Sequence, residues 1–241
     1  MQTLNSFDLH ILVFLNHFAH RSPSLDYFIM LVGSNALTKG AVITSLIWWA
    51  WFHPGADKIR DREYLLYGIL ACFLSVLAAR ALADVLPFRQ RPILDSALHF
   101  HPPYYVDLNS AIGWSSFPSD HAALFFALAT SIFFVSRGAG ILALCHAFVV
   151  VSIPRVYMGF HYPTDILAGA VIGVGLASSA KIVAVRTLVT RPTMRWLEQF
   201  PGTFYALLFL LTFLVTVVFD PVRKVGVILF RILDAAFHRL Y

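Results

Sequence analysis

Apolar residues in this chain run in long blocks rather than alternating with polar ones, so no strand period of two is visible. Helices that are apolar on every face belong to large cores or to bilayers. The clearest block, residues 200–219, carries no charge, and about 20 apolar residues suffice to cross a hydrocarbon core. Blocks of this kind predict spans at 36–52, 64–86, 119–136, 140–157, 163–185 and 204–219. The first ends in the aromatic cluster Trp48, Trp49, Trp51 and Phe52, which suits a water interface. Gly33-Ser34-Asn35 separates it from an earlier apolar stretch that opens at Ser24-Leu25-Asp26.

Residues 9–18 are apolar but too short to cross, and Asn5, Asp8, His10, Asn16 and His17 punctuate the region. This predicts a helix lying in the interface. The string HPGADKIRDRE (53–63) reads as a polar turn, and RTLVTRPTMR (186–195) as a basic connection. The longest section without a span is 87–117, which contains Arg89, Arg91, Pro92, His99, His101, Pro102 and Pro103; long links of this kind are usually functional. Beyond Asp220-Pro221, the tail 222–241 mixes apolar residues with Arg223, Lys224, Arg231 and Arg239, predicting a surface helix or a short continuation. The expected fold is therefore an all-α integral membrane protein. It is a six-transmembrane helix bundle, one domain over 1–241, with an N-terminal interfacial helix and a long loop between spans 2 and 3.

Composition agrees. Of 241 residues, 59% are hydrophobic and 13% charged, against about a quarter charged in soluble domains. The net charge of +5 needs no nucleic acid, because membrane proteins concentrate Lys and Arg near headgroups and no basic face or nucleic-acid motif is visible. Cys72 and Cys145 sit inside apolar blocks and read as packing residues, not a disulfide or metal pair. Six spans put both termini, the 87–117 loop and the 154–162 loop on one side. Lys58, Arg60, Arg62, Arg137, Lys181, Arg186, Arg191 and Arg195 fall on the other, which is cytoplasmic by the positive-inside rule. The tail's cations pull against this orientation.

The polar residues at the span margins carry the chemistry. His121 closes the string FPSDH, and Arg155, His161 and Asp165 lie in PRVYMGFHYPTD. Ionisable groups beside a bilayer core are costly to desolvate and usually mark a polar cavity. His161 and Asp165 are four apart, a spacing that lets a carboxylate orient an imidazole for attack. Pro118 and Ser119 open an apolar run whose free N–H groups suit a phosphate, with His121 in its first turn as a proton donor. Arg91 and Arg155 are candidate phosphate clamps, and Arg80 and Arg89 are further candidates. Singly, each has a structural explanation: helix capping for Ser119 and Asp165, snorkelling to headgroups for an arginine. His99 and His101 lack a matched Cys or acid and make a weak metal signal.

Together the strings say more. The order R-P, then P-S-x-H, then R-x5-H-x3-D, each beside a span, resembles the type 2 phosphatidic acid phosphatase superfamily over about 80–173. Arg91-Pro92 matches the end of the first motif, 118–121 the second (with Asp120 where many members have Gly), and Arg155, His161 and Asp165 the third. Two positions depart from the pattern: Asp84 stands where the first motif begins with Lys, and Pro154 stands where Ser precedes the arginine. Arg80 or Arg89 then supplies the missing cation, or fewer charges hold the phosphate.

The resemblance implies that His161 attacks phosphorus to form a phosphohistidine, that Asp165 orients it and that His121 protonates the leaving oxygen. It implies that Arg91, Arg155, Ser119 and the backbone at Asp120 bind the phosphoryl oxygens, with neither metal nor cofactor. The string LNHFAHRSPSLD (15–26) and the form P-S-D-H are similar to bacterial undecaprenyl-pyrophosphate phosphatases of the bacitracin-resistance type. That similarity implies hydrolysis of a polyprenyl pyrophosphate at the outer face of a bacterial inner membrane. Another lipid phosphate (phosphatidylglycerol phosphate, phosphatidate or a lipid A phosphate) and a lipid phosphotransferase use the same residues and stay open. A transporter or lipid-binding scaffold is the non-enzymatic alternative. Oligomeric state is not legible.

Overall fold

The computed structural model describes residues 5–53, 55 and 57–217, which are helical with no strand among them. Helix α1 (Ser6–Asn16) is capped by Asn5, and α2 (Pro23–Ser34) by Ser22 with Pro23 at its first position. A π-helical turn, Leu37–Ala41, leads into α3 (Val42–Phe52). The break at Ser34 bends this pair by 57°, where the Gly33-Ser34-Asn35 interruption lies. Helix α4 (Lys58–Val85) begins at its Asp57 cap, so most of the expected 53–63 turn is in fact helix.

Between α4 and α5 the chain makes three short 3-10 turns, Pro92–Leu94, Ser96–Leu98 and Leu108–Ala111. Ser119 caps α5 (Asp120–Val135), and Ser136 caps α6 (Arg137–His146). A π segment, Ala147–Ser152, carries α6 into α7 (Ile153–Tyr157), so Pro154 sits where the regular ladder is already interrupted. Helix α8 (Pro163–Ser178) starts on Pro163. Helix α9 (Val183–Gln199) occupies the stretch expected to be a basic connection, and α10 (Pro201–Thr216) follows.

Three helical stretches are long and apolar enough to cross a bilayer: Lys58–Val85, Arg137–Tyr157 and Pro163–Lys181. The bent pair of α2 and α3 makes up to four. Helices α5 and α10 are apolar but have 16 residues each, about 24 Å at 1.5 Å per residue, which is shorter than the roughly 30 Å hydrocarbon core. The expected tail helix at 222–241 and the end of the last expected span lie outside the described residues.

Helix α5 is the axis of the bundle, packed along α8 and α4, and its positions 122–125 and 127–132 are all buried. Small residues bring α5 and α8 together. A Cβ on Gly169 would meet the Ser119 carbonyl and lie 3.0 Å from Ala122 Cβ, and one on Gly173 would meet the Ala123 carbonyl and lie 2.9 Å from Ala127 N. Helix α9 is tied to α4 by a buried ion pair: Arg186 Nε donates to Glu63 Oε2 at 3.0 Å and Nη1 to Ala180 O at 2.8 Å. At the far end, Trp48 Nε1 donates to Thr212 Oγ1 and Trp51 Nε1 to the Tyr205 hydroxyl, joining α3 to α10.

Because the α5–α8 contact is backbone against backbone, Gly173→Val is expected to destabilise the folded protein by about 1–3 kcal/mol, whereas Gly175→Ala, which faces open space, leaves stability unchanged or slightly raised. Thermal unfolding in detergent checks both, and equal midpoints for the two variants would refute the close-packing account.

Candidate active site

His161 follows a turn at Gly159, whose φ is +72°. A Cβ there would come within 2.6 Å of Phe100 Cε1 and 2.9 Å of Ile93 Cβ. Glycine is therefore needed both for its backbone freedom and for its size. The His161 imidazole is buried, with Nδ1 2.8 Å from the Ser116 carbonyl oxygen. A carbonyl only accepts, so Nδ1 carries the proton and Nε2 keeps its lone pair.

Asp165, the residue expected to orient this ring, has Oδ2 3.7 Å from the same nitrogen. That exceeds a hydrogen bond, so the carboxylate acts on the ring through its charge while the main chain holds the proton. Its oxygens are taken elsewhere: Tyr162 N–H donates to Oδ2 at 2.7 Å and Arg89 Nη1 to Oδ1 at 2.5 Å. Arg89 Nη1 also reaches Thr164 Oγ1 at 2.9 Å, and Nη2 donates to Asp8 Oδ2 at 2.7 Å. Arg89, a candidate for the phosphate, is thus occupied by two fully buried carboxylates.

The start of α5 lies against the start of α8. Ser119 N–H donates to the Asp165 carbonyl at 3.0 Å, and Ser119 Oγ accepts from Ala122 N–H at 3.4 Å. Asp120 Oδ1 accepts from His121 N–H at 2.8 Å and from His121 Nδ1 at 2.9 Å. Its other oxygen pairs with Arg80, whose guanidinium lies 4.8 Å over the Trp114 ring. Asp120 therefore presents its side chain to His121 and Arg80. Asp84, where the family pattern begins with Lys, is exposed.

Arg91 and Arg155 flank the Phe160 ring at 5.6 and 5.5 Å. Arg155 Nη2 donates to His121 Nε2 at 2.7 Å; since arginine only donates, the imidazole proton sits on Nδ1, toward Asp120. Arg91 Nε and Ser116 Oγ are buried with no hydrogen-bond partner among the described residues. Burial lowers the Arg91 pKa from its ordinary value; Asp120 and Asp165 oppose that shift and Arg80 adds to it. A half-desolvated cation with an unused donor fits an anionic ligand.

The candidate clamps divide: Arg80 and Arg89 pair with carboxylates, while Arg91 and Arg155 flank Phe160, with Arg155 bonded to His121. Among the described residues no group of three or more His, Cys, Asp or Glu side chains could hold a metal ion, and His99 and His101 are exposed in the loop. Sequence reasoning assigned no part in the site to Asp8 or Ser116. An acidic residue inside an apolar helix was the available signal for Asp8; Ser116 acts through a backbone carbonyl, which no side-chain letter reveals.

A stretch of 144 residues is 48% identical to the bacitracin transport permease protein BcrC of Bacillus licheniformis, covering 58% of this chain and 62% of that relative. The chain therefore spans less than two thirds of that relative's length. Over 157 residues it is 25% identical to undecaprenyl-diphosphatase BcrC of Bacillus subtilis (strain 168), covering 65% and 73% of the two proteins. No solved structure matches. The profile of the PAP2 superfamily matches residues 64–188, more than half of the chain and all three motif strings, and the chain belongs to that superfamily.

Proposed function

We propose that this protein is a membrane lipid phosphatase that removes the terminal phosphate of a polyprenyl pyrophosphate through a phosphohistidine intermediate. The observation that carries the chemistry is the His161 tautomer: with Nδ1–H held by the Ser116 carbonyl at 2.8 Å, Nε2 is left as a nucleophile. His161 Nε2 attacks the terminal phosphorus, and the P–O bond to the bridging oxygen breaks. The polyprenyl monophosphate leaves, its oxygen taking a proton from His121. Water then attacks the phosphohistidine, with His121 accepting its proton, and releases inorganic phosphate.

Arg91 and Arg155 stabilise the charge on the phosphoryl oxygens in both transition states. Arg155 donates to His121 Nε2. An incoming phosphate draws that guanidinium to itself and frees Nε2 to take up a proton from water, the one it will deliver to the leaving oxygen. Asp120, already on Nδ1, then balances the imidazolium. Ser119 caps the helix whose N-terminus faces the phosphate. No step calls for a metal.

The polyprenyl substrate is favoured by the similarity to the Bacillus subtilis undecaprenyl-diphosphatase and by a site at the ends of apolar helices, where a lipid tail and a hydrated headgroup meet. We further propose that α5 and α10 complete a six-span, single-domain arrangement in a bacterial inner membrane, with the site on the outer face. Lys58, Arg60, Arg62 and Arg137 at the opposite helix ends support that orientation.

Phosphate release should be measured across polyprenyl pyrophosphate, polyprenyl phosphate, phosphatidate and phosphatidylglycerol phosphate, in the presence of a chelator. His161→Ala is expected to lose at least about 1,000-fold in kcat and to trap no phosphoenzyme. His121→Ala is expected to lose about 100- to 10,000-fold. Undiminished release in both variants, or release only with added divalent metal, would overturn the mechanism; product formed only with an acceptor lipid would make the protein a phosphotransferase. Arg91→Ala is expected to lower kcat/KM by about 100- to 1,000-fold, and unchanged kinetics would remove Arg91 from the phosphate site.

A further inference from the structure

Asp8 is completely buried and belongs to α1, outside the segment 64–188 that the family profile covers. Its Oδ1 accepts from Thr164 N–H at 2.8 Å, and its Oδ2 accepts from Thr164 Oγ1 at 2.6 Å and from Arg89 Nη2 at 2.7 Å. The other arm of the same guanidinium holds Asp165 Oδ1 at 2.5 Å, while the Arg89 plane lies 4.1 Å from the centroid of the Tyr162 ring. One cation is thus shared by two carboxylates, one from the N-terminal helix and one from the motif that carries the nucleophile.

We propose that Asp8 is a positioning residue for the phosphatase reaction: from α1 it draws off half of the Arg89 charge and so leaves Asp165 net negative toward His161. The assignment rests on the phosphatase reading given above. Attack by His161 Nε2 on phosphorus puts positive charge on the imidazole, whose Nδ1 lies 3.7 Å from Asp165 Oδ2. With both carboxylates ionised, the Asp8–Arg89–Asp165 group carries one net negative charge and stabilises that ring. Without the charge at position 8, Arg89 cancels Asp165 and the stabilisation fades. The effect belongs to the transition state rather than to substrate binding, because Asp8 faces Arg89 and Thr164 instead of the Arg91 and Arg155 guanidinium groups.

Asp8 also has a purely structural task. Tyr162, the residue preceding α8, makes no side-chain cap of its own, and Asp8 accepts the Thr164 N–H that would otherwise be orphaned. The two roles separate on substitution. Asparagine caps a helix as well as aspartate does, so Asp8→Asn keeps an acceptor for Thr164 N–H while losing the charge opposite Arg89.

The test measures kcat and KM for polyprenyl pyrophosphate hydrolysis, per folded molecule in detergent, for the wild type, Asp8→Asn and Asp8→Ala, with thermal midpoints alongside. The proposal expects kcat to fall roughly 10- to 100-fold in both variants, KM to stay within about threefold, and both to lose thermal stability, Asp8→Ala more than Asp8→Asn, which keeps the cap of Thr164 N–H. Thr164→Val, which removes the hydroxyl linking Asp8 to Arg89 but keeps the backbone N–H, should lower kcat by a smaller factor, and it decides the matter if neither Asp8 variant folds. Wild-type kcat in Asp8→Asn, a loss confined to KM, or an unaffected Thr164→Val where the Asp8 variants do not fold, would overturn the assignment. A wild type that releases no phosphate from any lipid overturns the phosphatase reading itself, and is distinguished from those outcomes by being seen before any substitution is made.

Discussion

Arg89 joins two carboxylates, Asp8 and Asp165, that are both fully withdrawn from solvent. Breaking a buried pair by removing one partner typically costs about 3–5 kcal/mol, so these three groups hold one another in place. The shared cation connects three stretches far apart in sequence: α1, the segment after α4, and the start of α8. Each brings a further constraint. Thr164 receives its cap from α1, the Arg89 carbonyl accepts from Ser116 N–H at 2.8 Å, and the Asp165 carbonyl accepts from Ser119 N–H at 3.0 Å. His161, the cap of α5 and the end of the long loop are thereby fixed to one electrostatic centre.

Helix packing supplies the rigid frame for that centre. Gly169 and Gly173 let α8 approach α5 along the backbone, which brings the Ser119 cap beside the Asp165 carbonyl. In a bilayer, where apolar surface gives no preference for a neighbouring helix over lipid, close contact between small residues is a principal source of association. The ring of His161 and the ring of His121 are carried by the two helix starts so aligned, and Arg155 spans the gap to His121.

Much of this was legible in the sequence because it resides in residue types and spacings. The long apolar blocks gave the helices, and the three motif strings gave His121, His161, Asp165, Arg91 and Arg155, all of which converge. The misreadings have physical causes. The basic stretch 186–195 looked like a connection because its cations suggested solvent, yet Arg186 is neutralised by Glu63 and α9 runs through it. For Arg80 and Arg89 the sequence shows a cation without its counter-ion; the structure pairs them with Asp120 and with Asp8 and Asp165. Pairing across such distances in the chain leaves no local trace.

The bond from His161 to the Ser116 carbonyl is made by the main chain, so no side-chain replacement at 116 deletes it, but any shift of that peptide does. Ser115 Oγ accepts from Arg89 N–H at 3.2 Å and Ser116 N–H donates to the Arg89 carbonyl, so this peptide is the final stitch of the 87–117 loop. Whatever leans on the loop leans on the ring's tether. The orientation of the imidazole is in this sense a readout of loop posture: any shift of the segment that moves the Ser116 peptide turns the ring without touching a side chain beside it.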